Sequence, residues 1–350
     1  MDTIIEQDCL DYIKKIDLAP LKNKTVYIAG ANGLIGTYLI YMFHLANVTQ
    51  NMGIKIIALS KSAPCDKLRD IFNNQNDPYE FYSMDLAAAK HLDLPQKADF
   101  IIHGATYAQP KKFLRNYSNT IHLNTTATET LLQKAKKDGA RLLYLSSSEI
   151  YGNPDEKNIP TPEDFPGLCS PVSIRSIYSE SKRMGETLCF AYKNFESVDV
   201  RIARISMSYG PGVSIHDERV LGQFLKQALN DKKIVMLDDG IKVRTFCYIA
   251  DCALMLLNIL LYGKDFVYNV GGSDRITIRA LAEEICLLTG STLAIAPSNE
   301  LTAQNIEVSP NWVELNINKV CNEFNLPPMK SFHEGLTRTI EWNTNLFHRS

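Results

Sequence analysis

Residues 25–36 have the sequence TVYIAGANGLIG, and this stretch decides the fold. Thr25–Ala29 has the apolar character of a buried strand, and Gly30, Gly33 and Gly36 follow before a helical pattern begins. Glycines at such a turn let backbone N–H groups approach a pyrophosphate, and the helix N-terminus adds a partial positive charge. A glycine-rich turn without a ligand is the alternative, but the strand before it and the helix after it favour a dinucleotide site.

Strand and helix patterns alternate along the first 206 residues. Continuous apolar strands separated by helices indicate a parallel sheet that is covered on both faces. The further predicted strands are Ile54–Leu59, Phe81–Met84, Asp99–His103, Arg141–Ser146 and Asp199–Ser206, and the main predicted helices are Thr37–Ala46, Thr120–Lys136 and Ile174–Tyr192. We therefore expect an α/β fold with a doubly wound parallel sheet, a Rossmann domain over residues 1–205.

The pattern of predicted elements changes after Ser206. Glycines and prolines separate shorter segments, and helices are predicted at Val220–Asn230, Asp251–Leu261, Ile278–Thr289 and Phe332–Asn343. We expect residues 206–350 to form a smaller α/β lobe that binds the substrate. The two parts are expected to be interleaved, with part of 241–270 returning to the sheet.

Composition limits the classes of function. Of the 350 residues, 45% are hydrophobic and 22% are charged, and the net charge is −2, so neither a nucleic-acid nor a membrane surface is expected. The N-terminal sequence lacks the basic start and apolar run of a signal peptide. The eight cysteines include no Cys-x-x-Cys pair, which favours free thiols in the cytoplasm and no metal site.

Tyr178 and Lys182 are the candidate catalytic pair. Four residues apart on a predicted helix, they lie on one face, about one turn apart. The ammonium is expected to lower the pKa of the phenol from its ordinary value of about 10, so that it can act as a base. Tyr107 and Lys111 have the same spacing, but Pro110 between them predicts a loop.

The predicted fifth strand ends in the polar segment YLSSSEIYG, residues 144–152. Ligands of open α/β sheets bind at the carboxyl ends of the strands. Ser147, Ser148 and Glu149 are therefore candidate catalytic residues, whereas the segment alone would also suit a solvated turn.

The end of the second strand is expected to select the cofactor. An acidic residue there would bind the ribose 2′-OH and repel a 2′-phosphate, but this chain has Ser60, Lys61 and Ser62. The sequence therefore allows NAD and also NADP. Asp85 follows the third strand, where it would contact adenine or be a surface aspartate.

Taken together, GANGLIG, LSSSEIYG, YSESK and the later GPG and RTFCYIAD segments resemble the extended short-chain dehydrogenase/reductases of the NAD-dependent epimerase/dehydratase family, which modify nucleotide-linked sugars. The resemblance covers residues 24–342. It implies that Tyr178 is the base, Lys182 its activator and Ser147 the partner of the sugar O4. The implied cofactor-binding residues are Gly30, Asn32, Gly33, Leu34, Ile35, Gly36, Ser60, Asp85, Leu86, Gly104, Ala105, Tyr178 and Lys182.

The resemblance also implies a substrate and an assembly. A nucleotide-diphosphate sugar would contact Tyr107, Ser147, Arg219 and Arg244, with the arginines on the diphosphate. A surface ion pair with Asp217, Glu218 or Asp251 is the alternative for these arginines. The helices that contain Thr120–Lys136 and Ile174–Tyr192 would form a homodimer interface.

Enzymes of this family oxidise the sugar at C4 to a transient ketone, and the residues after the active-site hydroxyl separate the later steps. Dehydratases carry Thr-Asp-Glu at this point, whereas UDP-glucuronic acid decarboxylases carry Ser-Glu, which matches Ser148 and Glu149. The sequence thus favours a decarboxylase, with a 4-epimerase, a 4,6-dehydratase and an NADPH-dependent keto-sugar reductase as alternatives. A non-catalytic dinucleotide sensor is disfavoured because Tyr178, Lys182 and Ser147 are all present.

Two features depart from the decarboxylase pattern. The stretch Ser309–Ile317 lacks an arginine that those enzymes carry, although a carboxylate substrate needs a cation. Met207 stands where the family has an asparagine before the Tyr-Gly-Pro turn, and a thioether cannot donate hydrogen bonds.

Overall fold

The structure is a computed structural model that describes residues 3–74, 77–89, 91–92, 94–296 and 312–347. Its strands are β1 (Thr25–Ala29), β2 (Lys55–Ser60), β3 (Tyr79–Ser83), β4 (Phe100–His103), β5 (Arg141–Ser147), β6 (Val200–Ile205), β7 (Met207–Tyr209), β8 (Lys233–Met236), β9 (Val243–Tyr248), β10 (Val267–Val270), β11 (Arg275–Thr277), β12 (Thr292–Ile295) and β13 (Trp312–Val313). Its α-helices are α1 (Thr3–Ile13), α2 (Leu34–Gln50), α3 (Asp66–Asn73), α4 (Pro110–Arg115), α5 (Tyr117–Asn124), α6 (Thr126–Asp138), α7 (Ser176–Phe195), α8 (Val220–Asp231), α9 (Ile249–Tyr262), α10 (Ile278–Thr289), α11 (Asn318–Glu323) and α12 (Phe332–Phe347).

One parallel sheet forms the centre of the described part of the chain. Its strand order is β10–β6–β5–β4–β1–β2–β3, and every neighbouring pair is parallel. The chain starts in the middle, at β1, moves to one edge through β2 and β3, and then returns to build the other side from β4. This is the order of a doubly wound sheet, as the sequence predicted.

Both faces of the sheet are covered. Val26 and Ile28 of β1 belong to a core that also contains residues of α1, α2 and α9. Tyr27 and Ala29 point to the opposite face, into a second core with residues of α6 and α7. Because successive side chains of a strand face opposite ways, a strand buried on both faces favours apolar residues on both. This explains the apolar sequence of β1 from Val26 to Ala29.

The prediction of one continuous helix over Thr120–Lys136 is wrong. The structure has α5 and α6 instead, with a break at Thr125, whose φ is −118° and ψ is −77°. Asn124 and the following threonines have low helix propensity. The Asn124 amide also donates a hydrogen bond of 2.9 Å to the Ser181 hydroxyl. This bond joins the break to α7, the helix that carries Tyr178 and Lys182.

The loop predicted around Pro110 is also only partly correct. Tyr107 precedes the helix, but Pro110 and Lys111 begin α4. Proline suits the first position of a helix, because its missing N–H would have no intrahelical partner there.

The elements after residue 206 belong partly to separate small sheets and partly to the large sheet. Strands β7, β9, β11 and β13 form a second sheet, and β8 pairs with β12. In contrast, α9 packs on the large sheet and β10 is its edge strand beside β6. The division into two interleaved domains, with its boundary between residues 205 and 206, stays a prediction.

Candidate active site

The glycine turn joins β1 to α2 at the carboxyl edge of the sheet. Gly30 has φ of +91°, and its N–H donates to the Leu59 carbonyl of β2 over 2.9 Å. A Cβ on Gly30 would lie 2.7 Å from the carbonyl carbon of Gly104, and a Cβ on Gly36 would overlap the Gly30 carbonyl oxygen. Side chains at these positions would therefore separate α2 from the ends of β1 and β4.

This turn fits a dinucleotide. The first N–H groups of α2 have no intrahelical acceptor, so the start of this helix offers hydrogen-bond donors to a pyrophosphate. Leu34 and Ile35 begin α2, and Gly104 and Ala105 follow β4, so all four predicted positions border the turn. The Thr106 hydroxyl, just beyond, is buried and has no hydrogen-bond partner among the described residues.

The side chain of Asn32 fastens the segment that follows β2. Its amide nitrogen donates to the Ser62 hydroxyl at 3.0 Å and to the Ala63 carbonyl at 2.9 Å, and its oxygen accepts from the Cys65 N–H at 3.0 Å. The segment beyond Ser60 is thereby fixed beside the glycine turn.

Asp85 lies at the end of β3, next to the same segment. It forms an ion pair of 2.7 Å with Lys61, and this hydrogen bond lowers the pKa of the carboxyl. Leu86 beside it is buried. The hydrogen bond with Asp85 raises the pKa of Lys61. Tyr107, predicted to bind substrate, follows β4 at the same edge of the sheet. Its contact with substrate stays a prediction.

Ser147 and Tyr178 meet at the end of β5. The Ser147 hydroxyl accepts a hydrogen bond of 3.2 Å from the Glu149 N–H and is hydrogen-bonded to the Tyr178 phenol. Ser148, Glu149 and Ile150 continue into a short 3₁₀ helix, so the strand carries its polar residues directly beneath α7. The arrangement brings the two predicted hydroxyls together.

The expected lowering of the pKa of Tyr178 is wrong for the protein without cofactor. Tyr178 is 5% exposed, and burial raises the pKa of its phenol well above the ordinary value. The hydrogen bond from Ser147 and the charge of Arg219 lower it by less. Phe113 of α4 stacks on the phenol ring at 5.2 Å between centroids, which helps to keep water away.

Lys182 is buried one turn further along α7. Its ammonium donates to the Leu145 carbonyl at 2.6 Å and lies 4.7 Å from the centroid of the Tyr144 ring. Burial lowers the pKa of Lys182 to about 7, because the neighbouring Glu186 offsets only part of the cost of burying the charge. Lys182 can therefore gain or lose a proton near neutral pH.

Glu149 forms an ion pair that the sequence did not reveal. The Arg175 guanidinium donates to both carboxylate oxygens, at 2.5 and 3.3 Å, from the residue that precedes α7. The Arg244 guanidinium of β9 lies close enough for its pKa to respond to both charges. A positive charge three residues before a candidate catalytic tyrosine was the available signal for Arg175.

Arg219 and Arg244 lie in different surroundings. The Arg219 side chain donates three hydrogen bonds to the Asp217 carboxylate, of 2.6, 3.0 and 3.2 Å. This ion pair was one of the alternatives for the residue. Burial raises the pKa of Tyr178, and the positive charge of Arg219 lowers it by less. Arg244 is 6% exposed, and burial lowers its pKa to about 10. Contact of either arginine with a diphosphate stays a prediction.

Comparison with known proteins decides the family. The model of the NAD dependent epimerase/dehydratase family matches residues 26–271. The chain belongs to this family. UDP-glucuronic acid decarboxylase 5 of Arabidopsis thaliana is 30% identical over 317 residues, which cover 90% of this chain and 87% of the relative. UDP-glucuronic acid decarboxylase 1 of Xenopus tropicalis is 29% identical over 93% of this chain and 73% of the relative.

Solved structures confirm the fold of this member of the family. The chain is similar to the UDP-glucuronic acid 4-epimerase of Bacillus cereus, with a TM-score of 0.76, 21% identity and coverage of 92% and 99%. It is also similar to the dTDP-glucose 4,6-dehydratase of Bacillus anthracis, with a TM-score of 0.74, 24% identity and coverage of 92% and 97%. Both of those structures contain NAD. The NAD-dependent family and the turn geometry together confirm the predicted cofactor NAD.

Among the described residues, none of the helices combines the length and hydrophobicity that crossing a bilayer requires.

Proposed function

We propose that this protein decarboxylates a nucleotide-linked uronic acid, with UDP-glucuronate as the substrate, through a transient 4-ketone. The observation that carries this proposal is the Glu149–Arg175 pair, which lies beside the hydrogen-bonded Ser147 and Tyr178. A cation at this point suits a sugar whose C6 is a carboxylate. The similarity to UDP-glucuronic acid decarboxylases over nine-tenths of the chain supports the same reaction.

In the proposed first step, the sugar C4 hydroxyl loses a proton and its carbon loses a hydride. NAD, when bound, supplies the hydride acceptor and a positive nicotinamide ring whose charge favours the phenolate. Tyr178 takes the proton from O4, and the Ser147 hydroxyl holds the oxygen in line through a hydrogen bond. Lys182 stabilises the phenolate whenever it is protonated, which its pKa of about 7 allows near neutral pH.

The second step needs no acid for a leaving hydroxyl. A 4-ketone makes the C6 carboxylate a β-keto acid, which loses CO₂ as the electron pair of the C5–C6 bond moves into the ketone. The enolate that remains takes a proton at C5, and the ketone is reduced again when the hydride returns to C4. The chain has Ser148 where dehydratases carry an aspartic acid, so it lacks the group that would protonate a departing C6 hydroxyl. Ser148 is thus compatible with decarboxylation and disfavours dehydration.

In this proposal, Arg175 supplies the cation that the C-terminal stretch lacks. Ser309–Ile317 contains no arginine, and Ser309–Asn311 lie outside the described residues. Arg175 instead places a cation beside Glu149, with Arg244 nearby. We assign the recognition of the substrate carboxylate to Arg175, and the diphosphate to Arg219 together with Arg244.

We also propose a homodimer in the cytoplasm. Tyr117 and Ile121 of α5 and Met184 and Phe190 of α7 are large apolar residues that are 39–60% exposed, on the two helices expected at the interface. The eight cysteines are all free, which suits a reducing compartment. Light scattering should give twice the chain mass of 39.4 kDa, and Met184→Glu should shift it towards one chain. A single-chain mass for the wild type would refute the dimer.

Incubation with UDP-glucuronate and mass spectrometry of the product test the proposed function. We expect the nucleotide sugar to lose the mass of one CO₂. If UDP-glucose or dTDP-glucose lost one water, the protein would instead be a dehydratase. If the product kept the mass of the substrate and had a new configuration at C4, the protein would be an epimerase. A product heavier by two hydrogens, formed at the expense of NADPH, would establish a keto-sugar reductase.

A further inference from the structure

The row of side chains that contains Tyr178 and Lys182 continues for another turn of α7. Glu186 follows Lys182 at the same spacing, and residues four apart share one face of a helix. Its side chain is only 12% exposed, so water screens its charge poorly. This carboxylate lies one helical turn from Lys182 and takes no part in the reaction steps proposed above.

Arg204 of β6 holds the Glu186 carboxylate in one direction. The Nε atom of Arg204 donates to the two carboxylate oxygens at 3.0 and 3.3 Å, and Nη2 donates to one of them at 2.7 Å. An arginine that binds both oxygens of a carboxylate fixes its orientation as well as its charge. The negative charge is therefore fixed on the face of α7 that carries Lys182.

The Arg204 guanidinium is itself anchored by buried groups. Its Nη1 atom donates to the Tyr151 hydroxyl at 2.9 Å and to the Glu163 carbonyl at 2.6 Å. The Tyr151 hydroxyl donates in turn to Oδ1 of Asn269, on β10, at 2.7 Å. All three guanidinium nitrogens thus have acceptors, and moving the side chain would leave buried polar groups unpaired. This anchoring keeps Glu186 from turning towards solvent.

The charge of Glu186 acts on Lys182. Burial lowers the pKa of Lys182, and the negative charge of Glu186 is the largest effect that raises it. The other titratable side chains around Lys182 in the described part of the chain are neutral near pH 7, because burial raises the pKa of phenols and thiols and lowers that of imidazole: Tyr144, Tyr178, Cys189 and His103. Opposite charges interact more strongly in such surroundings than in water.

We propose that Glu186 is a positioning residue for the transfer of the proton from the sugar hydroxyl: fixed by Arg204, it keeps the Lys182 side chain in its ammonium form beside Tyr178. Glu186 acts through Lys182, which stabilises the phenolate only while it is charged. The inference rests on the proposed role of Lys182 in the oxidation at C4, and it is independent of what then happens to the sugar.

An NMR titration of the cofactor-free full chain, labelled with carbon-13 at the lysine Cε atoms, tests this inference. The Lys182 signal is the one that is missing from Lys182→Met, and in the wild type it should titrate near pH 7. Glu186→Gln removes the charge and keeps an oxygen for Arg204, so the midpoint should fall by about one pH unit, a tenfold change in proton affinity. Glu186→Asp keeps the charge on a shorter side chain, so the midpoint should stay within about half a unit of the wild type.

Glu180→Gln is the matched control. It makes the same change on the same helix, at a side chain that is 37% exposed and lies 3.6 Å from Arg183. It should leave the midpoint where it is in the wild type. An unchanged midpoint in Glu186→Gln, or an equal shift in Glu180→Gln, would overturn the inference. An equal shift in Glu186→Asp and Glu186→Gln would also overturn it, because the shift would then follow the length of the side chain and not its charge.

The pH profile of turnover with UDP-glucuronate gives a second readout. In Glu186→Gln the alkaline limb of kcat should move to lower pH by about one unit, because Lys182 loses its proton earlier, and KM should change by less than about twofold. A limb that stays in place while the NMR midpoint moves would overturn the role in proton transfer. A wild type that does not turn over UDP-glucuronate would refute the proposed function, and the NMR titration alone would then decide the role of Glu186.

Discussion

The two ends of the active-site cleft are built in different ways. The cofactor end is made of backbone, from three glycines within seven residues of sequence, packed against the ends of β2 and β4. The sugar end is made of side chains from distant segments, and they are paired with one another: Ser147 with Tyr178, Glu149 with Arg175, and Arg219 with Asp217. A backbone site is fixed by the fold, whereas a side-chain site can change its specificity by single substitutions. This difference explains how relatives with one fold carry out different sugar chemistry.

The comparison predicts its largest effect at Tyr178, where the two ends meet. Tyr178→Phe removes the only atom that exchanges a proton with O4, so kcat should fall by about 10³-fold while the Kd for NAD⁺ changes little. Turnover of UDP-glucuronate and titration with NAD⁺ measure the two quantities.

Tyr192→Phe on the same helix is the control, since its hydroxyl contacts Glu129 and lies away from Ser147. It should keep full activity. Turnover by Tyr178→Phe at the wild-type rate would remove the assigned base.

The next largest effect is expected for the Glu149–Arg175 pair, which should act as one unit. Glu149→Gln should lower kcat by about a hundredfold, because Arg175 loses the carboxylate that holds it beside the sugar site. Arg175→Gln should raise KM for UDP-glucuronate by about tenfold or more, because the carboxylate loses its cation.

In the double variant the effects should not add, because contacting residues share their interaction energy. Lys193→Gln, near the end of α7, is the control for loss of a positive charge. Fully additive effects in steady-state kinetics would indicate that the two side chains work separately.

A smaller effect is expected at the cofactor end. Gly36→Ala introduces a Cβ against the Gly30 and Ala31 carbonyl oxygens, so α2 must move away from the turn. The Kd for NAD⁺ should rise by about tenfold or more, with KM for the sugar less affected.

Gly139→Ala, where a Cβ meets nothing within 4 Å, is the matched control. It should cost about 1 kcal/mol of stability through its φ of +70°, and leave the Kd unchanged. Equal Kd values for the two variants would contradict a backbone-built cofactor site.

The smallest effect concerns Lys182 and the pH dependence of stability. The folded pKa of about 7 lies below the ordinary value, so between the two the unfolded chain binds more protons. The contribution of Lys182 to the stability of the cofactor-free protein should therefore rise as pH increases from about 7 towards 10. It is read as the difference between the wild type and Lys182→Met, because buried cysteines with raised pKa values act in the opposite direction in both proteins. Lys182→Met should lose this contribution. The free energy of unfolding of the variant should exceed that of the wild type by the largest amount below pH 7. Thermal unfolding across this range measures the slope, and identical slopes in both proteins would contradict the lowered pKa.

The sequence predicted the fold well because its signals are local. TVYIAGANGLIG places a buried strand, a tight turn and a helix in adjacent residues, and β1 was predicted to the residue. The break at Thr125 and the helix start at Pro110 were missed, since each depends on a contact or position that a pattern does not encode.

The candidate site was less predictable. Tyr178, Lys182 and Ser147 were identified from spacing and resemblance, and the structure brings Ser147 and Tyr178 together. Arg175 was missed, because its place three residues before Tyr178 was the one local signal and its link to Glu149 joins segments 26 residues apart through a loop. The pKa of Tyr178 depends on burial by Phe113 and its neighbours, which helical spacing does not show.

Transfer of a label from C4 tests the central claim most directly. UDP-glucuronate that carries deuterium at C4 is converted in ordinary water without added cofactor, and the product is examined by NMR. A hydride that leaves and returns predicts deuterium retained at C4 of the decarboxylated sugar and no net change in the bound cofactor. Hydrogen at C4, or deuterium found in released reduced dinucleotide, would contradict the account.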